Sequence, residues 1–247
     1  MKIFKFGGAS IKDAFGVKNV AHILQQEEVS DCLLVISAMG KMTNAFENIV
    51  IFYVNNDQEK LTESIDFTIN YHIKIISDLF QDKHEIHQKV TLLFDEMIHF
   101  LTRNIAKEYD YLYDQIVCYG ELLSTTIVSE YLNDVGITNS WRDARELVIT
   151  DAIFRDASVN WGETEKRIKT EIDTSKITLV QGFIAGDLND ILTDSVNNNV
   201  FQSIIDDTLN YMFADFPIAL GNPIDFSYPS WPSHLDHILI SNELFAD

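Results

Sequence analysis

The sequence predicts a three-layer α/β domain around a mainly parallel sheet, followed by a β-rich C-terminal segment. Short apolar or alternating runs take turns with long stretches of helical period, the order expected of strands joined by crossover helices. The first run ends in a glycine pair that leads into a helix. Scale agrees: 247 residues, 46% hydrophobic and 23% charged, can bury one large core or two ordinary ones.

Lys2–Phe6 alternates polar and apolar and stops at Gly7-Gly8, which predicts a strand entering a tight turn. Ser10 is placed to cap a helix over Ile11–Gln26, with Val17, Val20, Ala21 and Leu24 on its apolar face. Cys32–Ser37 is an apolar run suited to a buried parallel strand. Helical patterns follow over Met42–Val54, Leu61–Leu79, His84–Lys107 and Tyr111–Asn133, with Gly136 a C-cap for the last. Strands are expected at Ile137–Arg142, Leu147–Thr150 and Ile177–Gln181, with a helix over Gly162–Ile172.

Composition excludes several classes. Eighteen Lys and Arg stand against 38 Asp and Glu, a formal charge of −20, so long-range attraction to nucleic acid or an anionic membrane is not expected. No apolar run reaches the ~20 residues of a membrane helix, and the N-terminus lacks the apolar stretch of a signal peptide. Cys32 and Cys118 sit in apolar surroundings, which predicts two buried thiols in a reducing, cytoplasmic setting, with a bridge left open.

The composition changes near Gly186. Residues 1–186 hold all 18 basic residues and no proline, whereas residues 187–247 hold ten acids, no Lys or Arg, and all four prolines. The expected organisation is therefore an N-terminal domain, 1–186, and a distinct segment, 187–247.

Ligands of parallel sheets gather beyond the carboxyl ends of the strands. Lys5-Phe6-Gly7-Gly8-Ala9-Ser10 lies there: two glycines let backbone approach an anion, helix-opening amides attract it, and Lys5 adds a cation. Strand–Gly-Gly–helix turns are common, and a solvated strand lysine is the plain alternative.

That segment resembles the opening signature of aspartate kinases in the amino-acid kinase superfamily, where threonine is usual at the place of Ala9. Four further segments resemble the family in order: Val35–Asn44, Tyr119-Gly120-Glu121-Leu122-Leu123-Ser124, Asp143–Glu146 with Thr150-Asp151, and Val180–Gly186. The resemblance implies an amino-acid-kinase-like fold and transfer of the γ-phosphoryl of ATP, with Mg²⁺, to the β-carboxylate of L-aspartate. It implies that Lys5 holds the transferring phosphate, with Gly7, Gly8 and Ser10 beside it. Ser37 and Thr43 would lie near the amino acid or phosphate, and Glu121 would receive the substrate ammonium. A homodimer is also consistent with the family. The plain alternatives are a solvated helix acid for Glu121 and a backbone-bonded strand-end hydroxyl for Ser37.

After Gly186 the family continues into a Thr-Leu-Gly-Arg-Gly-Gly-Ser-Asp-like loop and a nucleotide-binding subdomain. Here the chain reads Asp187-Leu188-Asn189-Asp190, so an inactive protein is an expectation as well. This tail resembles the Gly-Asp-x-Asn signature of the endonuclease/exonuclease/phosphatase family, with Ser227–Trp231 and Leu235–Ser241 resembling its late strand. That resemblance implies an alternative metal-dependent hydrolase, with Asp187 and Asn189 at the metal and Asp236 catalytic; an acidic turn explains the same residues. An inert fusion is the third reading. His84-Glu85-Ile86-His87 has its histidines three apart rather than the four of a zinc-binding helix, and an exposed helix face accounts for it.

Overall fold

The computed structural model describes residues 2–27 and 29–182, together with the strands 211–213 and 239–241. The chain divides into two compact units, Ile3–Phe183 and Ile184–Asp247.

In the first unit four strands form one sheet: β1 (Lys2–Phe6), β2 (Cys32–Ile36), β3 (Asn139–Trp141) and β4 (Ile177–Gln181), in the order β1-β2-β4-β3. β4 runs parallel to β2, pairing Cys32 with Ile177 through Ile36 with Gln181, and parallel to β3, pairing Asn139 with Ile177. All five β4 residues are buried, as expected of a central strand covered on both faces. In the second unit, β5 (Tyr211–Phe213) and β6 (Leu239–Ser241) pair antiparallel in a sheet of their own.

Eight helices are described: α1 (Ala14–Gln26), α2 (Met42–Val54), α3 (Gln58–Leu79), α4 (Ile86–Arg103), α5 (Tyr109–Val117), α6 (Tyr119–Asp134), α7 (Ala144–Leu147) and α8 (Trp161–Glu171). Short polar side chains start several of them. Asp13 accepts from the Gly16 N–H, Asp57 from Lys60 and Asn160 from Glu163, each satisfying an orphan amide of the first turn. No helix among the described residues is long and apolar enough to cross a membrane.

Three expectations are corrected. Ser10 does not cap α1: Gly8–Ile11 forms a 3₁₀ turn, and Asp13, three residues on, supplies the capping oxygen. Tyr111–Asn133 is not one helix but α5 and α6, meeting at Cys118. Leu147–Thr150 is not a strand. Asp143 caps the single turn of α7 instead, and only an isolated bridge from Thr150 to Val159 follows.

α6 is the central helix. It touches β2, β3 and β4 on one side and α1, α2, α3, α4 and α5 on others. Ten of its sixteen residues are buried, so it has no wet face to speak of. Its Ile127, with Phe46, Ile49, Ile76, Phe94 and Met97 around it, forms part of a continuous apolar core.

One polar group in that core stands out. His72 of α3 is completely buried among Phe46, Phe94 and Tyr71. Its Nδ1 lies 2.7 Å from the Thr68 carbonyl, which fixes the proton on Nδ1, and Nε2 has no hydrogen-bond partner among the described residues. A second proton would enter an apolar cage, so burial pushes the imidazole down to about 4. Because the unfolded chain takes up this proton near pH 6.5 and the folded chain only near 4, unfolding binds the proton across that window. Stability should therefore be complete above pH 6.5 and fall as pH drops toward 4, by up to ~1.4 kcal/mol per unit from this residue. Urea titrations between pH 4 and 7 check this: His72→Leu should flatten that part of the profile.

Candidate functional site

β1 delivers the chain to the edge of the sheet where β2 and β4 also end. The Phe6 carbonyl accepts the Ser37 N–H at 3.1 Å, and the Ile36 carbonyl accepts the Gly182 N–H at 3.2 Å. Lys5 lies one residue before the end of β1 and is half-buried.

The two glycines of the following turn differ in role. A Cβ on Gly8 would stand 2.5 Å from the Ala38 carbonyl oxygen and 2.7 Å from that of Gly40. The Gly8 carbonyl also accepts the Gly40 N–H at 2.9 Å. Gly8 thus lets two loops touch backbone to backbone. A Cβ on Gly7 would meet none of the described residues within 4 Å, so among them Gly7 borders open space. Ser10 closes the turn through its N–H to the Gly7 carbonyl, 2.9 Å, and its side chain is exposed. The positive end of α1 is already met by the Asp13 carboxylate.

The loop after β2 carries Ser37 and reaches α2 through Gly40, whose φ of +57° suits a residue without Cβ. α2 begins with no side-chain cap, and Thr43 is its second residue, half-buried. The opening amides of a 13-residue helix therefore come to this edge beside the β1 turn.

α6 closes the third side. A Cβ on Gly120 would lie 3.2 Å from the Ala38 side chain and 3.3 Å from the Phe46 ring, so the first turn of α6 presses on the β2 loop. Ser124 Oγ donates to the Ser37 carbonyl at 2.8 Å. One turn earlier, Glu121 is only 6% exposed, which excludes a solvated helix acid. Lys5, Gly7, Gly8, Ser10, Ser37, Thr43 and Glu121 thus belong to three segments that converge on the carboxyl ends of β1, β2 and β4.

A second polar group flanks α6. The Arg145 guanidinium grips the Asp143 carboxylate through Nε (3.0 and 3.1 Å) and Nη2 (2.6 Å), and Asp143 holds it above the usual arginine range. Its Nη1 is 4.0 Å from Cys118 Sγ. Both cysteines are free and buried, and desolvation pushes each thiol up to about 11. Farther along, Arg155 has φ of +62°; its N–H donates to Asp114 at 3.0 Å and its guanidinium pairs with Asp110 and lies over Tyr113. Burial pushes the Asp114 carboxyl up. Sequence reasoning missed this clamp of the 151–160 loop on α5, since its members are scattered and ordinary in type.

Asp187, Asn189 and Asp236 lie outside the described residues. Among the described residues no cluster of three or more His, Cys, Asp or Glu could hold a metal. His84 bonds Asp134 at 3.3 Å and the Ile86 N–H at 3.1 Å, so it fastens the start of α4. A depression of about 350 Å³ lined by Leu24, Val29, Gly136, Ile137 and Ile177 opens at the amino ends of the strands, away from the converging segments.

Residues 1–199 match the Amino acid kinase family. Aspartokinase 1, chloroplastic, of Arabidopsis thaliana is 32% identical over 194 residues, which are 74% of this chain and 33% of that protein. The bifunctional aspartokinase/homoserine dehydrogenase 1, chloroplastic, of the same plant is 23% identical over 254 residues, 98% of this chain and 27% of its own length. Among solved structures, E. coli aspartokinase III in complex with aspartate and ADP shares the fold, with TM-score 0.65 and 23% identity over 74% of this chain and 40% of that one. The chain spans a third or less of these two curated relatives.

The glycine pair gives a direct test. Gly8→Ala should destabilise the fold by roughly 1–3 kcal/mol, because both clashing atoms are backbone carbonyls. Gly7→Ala, in extended backbone with open space around it, should leave the urea midpoint nearly unchanged. Equal midpoints for the two variants would contradict the division of roles.

Proposed function

Because the chain belongs to the amino acid kinase family, we propose that residues 1–186 bind L-aspartate and take part in phosphoryl transfer from ATP to its β-carboxylate. The observation that carries this reading is the convergence of the β1 turn, the β2 loop and the first turn of α6 on one edge of the sheet. The aspartokinase relatives supply the substrate class, and the E. coli structure named for its complex with aspartate and ADP shares the fold.

The residues present suit a phosphate. Gly7 offers a turn with room beside it, Lys5 a cation at the strand end, and α2 a helix start without a side-chain cap. Such chemistry requires neutralisation and alignment more than a protein nucleophile. ATP supplies the phosphoryl group, and Mg²⁺ would lower the repulsion between its charge and the carboxylate. Lys5 holds negative charge on the transferring group, with Gly7, Gly8 and Ser10 shaping the turn beside it. Glu121 receives the substrate ammonium at a depth where water screens poorly, which strengthens that pairing. Ser37 and Thr43, on either side of the Gly40 turn, orient the amino acid.

The test is trapping of aspartyl phosphate with hydroxylamine in the presence of ATP and Mg²⁺, alongside calorimetric titration with L-aspartate. The parent should bind aspartate and give aspartate-dependent hydroxamate; Lys5→Ala should abolish the product while retaining aspartate binding. Glu121→Gln should weaken aspartate at least tenfold, about 1.4 kcal/mol. A folded parent that neither binds aspartate nor forms product would reject the reading.

A further inference from the structure

Several threonines here donate from Oγ1 to the carbonyl four residues back, among them Thr62, Thr91, Thr102 and Thr170, all exposed. Thr125 of α6 does the same to the Glu121 carbonyl at 2.7 Å, but it is fully buried and two donors reach it from outside the helix. Trp141 Nε1 donates at 2.9 Å and Gln181 Nε2 at 3.5 Å. A hydroxyl has one proton and two lone pairs, so its capacity is used in full.

The donors come from the strand ends. Trp141 is the last residue of β3, and Gln181, 4% exposed, is the last of β4. Gln181 also accepts the Ala144 N–H at 2.6 Å, which ties in the first residue of α7. One residue away, Ser124 is anchored to Ser37 at the end of β2. The turn of α6 that carries Glu121 is thus fixed by Ser124 toward β2 and by Thr125 toward β3, β4 and α7.

We propose that Thr125 is a positioning residue of the amino-acid site: with Trp141 and Gln181 it sets the placement of the α6 turn bearing Glu121, and so the preference for a ligand with an ammonium group. The inference rests on Glu121 as the ammonium receptor. Thr125→Val keeps the shape but removes the acceptor, so the buried Gln181 and the half-buried Trp141 each need another partner, which favours a shift of the helix or its neighbours.

Calorimetric competition between L-aspartate and succinate, which lacks the ammonium, tests this on the full chain. The parent should prefer aspartate. Thr125→Val should lose at least tenfold of that preference, Thr125→Ser should restore it, and Trp141→Phe, which removes one donor without stranding another, should lose several-fold. Thr125→Val with the parental aspartate-to-succinate ratio, even at lower affinity or melting temperature, would reduce Thr125 to a structural role and overturn the proposal. Should that variant not fold, an unchanged ratio in Trp141→Phe would overturn it equally. A folded parent without preference for aspartate would refute the Glu121 reading itself, and the proposal with it, an outcome visible before any Thr125 variant is made.

Discussion

Because α6 is enclosed by the sheet and by other helices, each polar group on it must find a partner inside the protein. A buried donor or acceptor left unmatched costs about 1–3 kcal/mol, more than a satisfied one contributes. Ser124, Thr125 and Ser129 are matched to Ser37, to Trp141 with Gln181, and to Asn139, where Ser129 Oγ lies 2.7 Å from Oδ1. These partners belong to the ends of β2, β3 and β4 or the residue just beyond. Satisfying the helix therefore fixes its height and rotation on the sheet, and with them the place of Glu121. The same constraint holds the β2 loop, against which Gly8 brings the β1 turn. The candidate site follows from how the central helix is packed.

The elements read best from sequence were those whose pattern had one cause. Met42–Val54 and Ile177–Gln181 have the expected bounds, the first because a helical apolar stripe faces the core, the second because a central parallel strand is apolar throughout. The α5–α6 break was hidden since Cys118 keeps helical angles, φ −57° and ψ −25°, no proline marks it, and the nearby Gly120 lies within α6 rather than at the junction. Ser10 and Asp13 are both competent caps, and an intervening 3₁₀ turn has no periodicity to choose between them. Leu147–Thr150 resembles a strand in composition, but the Asp143 cap commits the preceding residues to a helical turn.

Within the candidate site, sequence motifs mark three segments that meet in the fold, but not the surroundings of each residue. Nothing in Gly7-Gly8 tells which glycine is packed against backbone and which borders open space. The burial of Glu121 was likewise unreadable: a helix covered on all sides shows no polar face from which to judge an acid's exposure. Thr125 is the middle of three hydroxyl residues, Ser124 to Thr126, and Gln181 closes an apolar strand, so neither is marked out by its neighbours. Only the fold shows that their hydrogen bonds meet.

Charge imposes the last condition on an acidic protein for which anionic ligands are proposed. At −20 overall the chain repels anions at long range, yet the Debye length of ~8 Å at physiological salt confines that effect to nearby acids. Many of the basic residues are paired on helix surfaces: Lys74 with Asp78, Lys89 with Glu85 and Glu130, Lys169 with Glu165, Arg167 with Glu163. Such exposed pairs add little stability, but they neutralise cations in place and leave them poor anion receptors. Attraction for a phosphate then has to be local, from backbone amides, whose partial charges no acidic side chain on a distant surface can cancel. The Gly7 amide and the start of α2 would be sources of that kind, and the Gly8 contact keeps the turn that carries the first against the loop that leads to the second. Packing of uncharged backbone thus sets where a strongly acidic chain can accept negative charge.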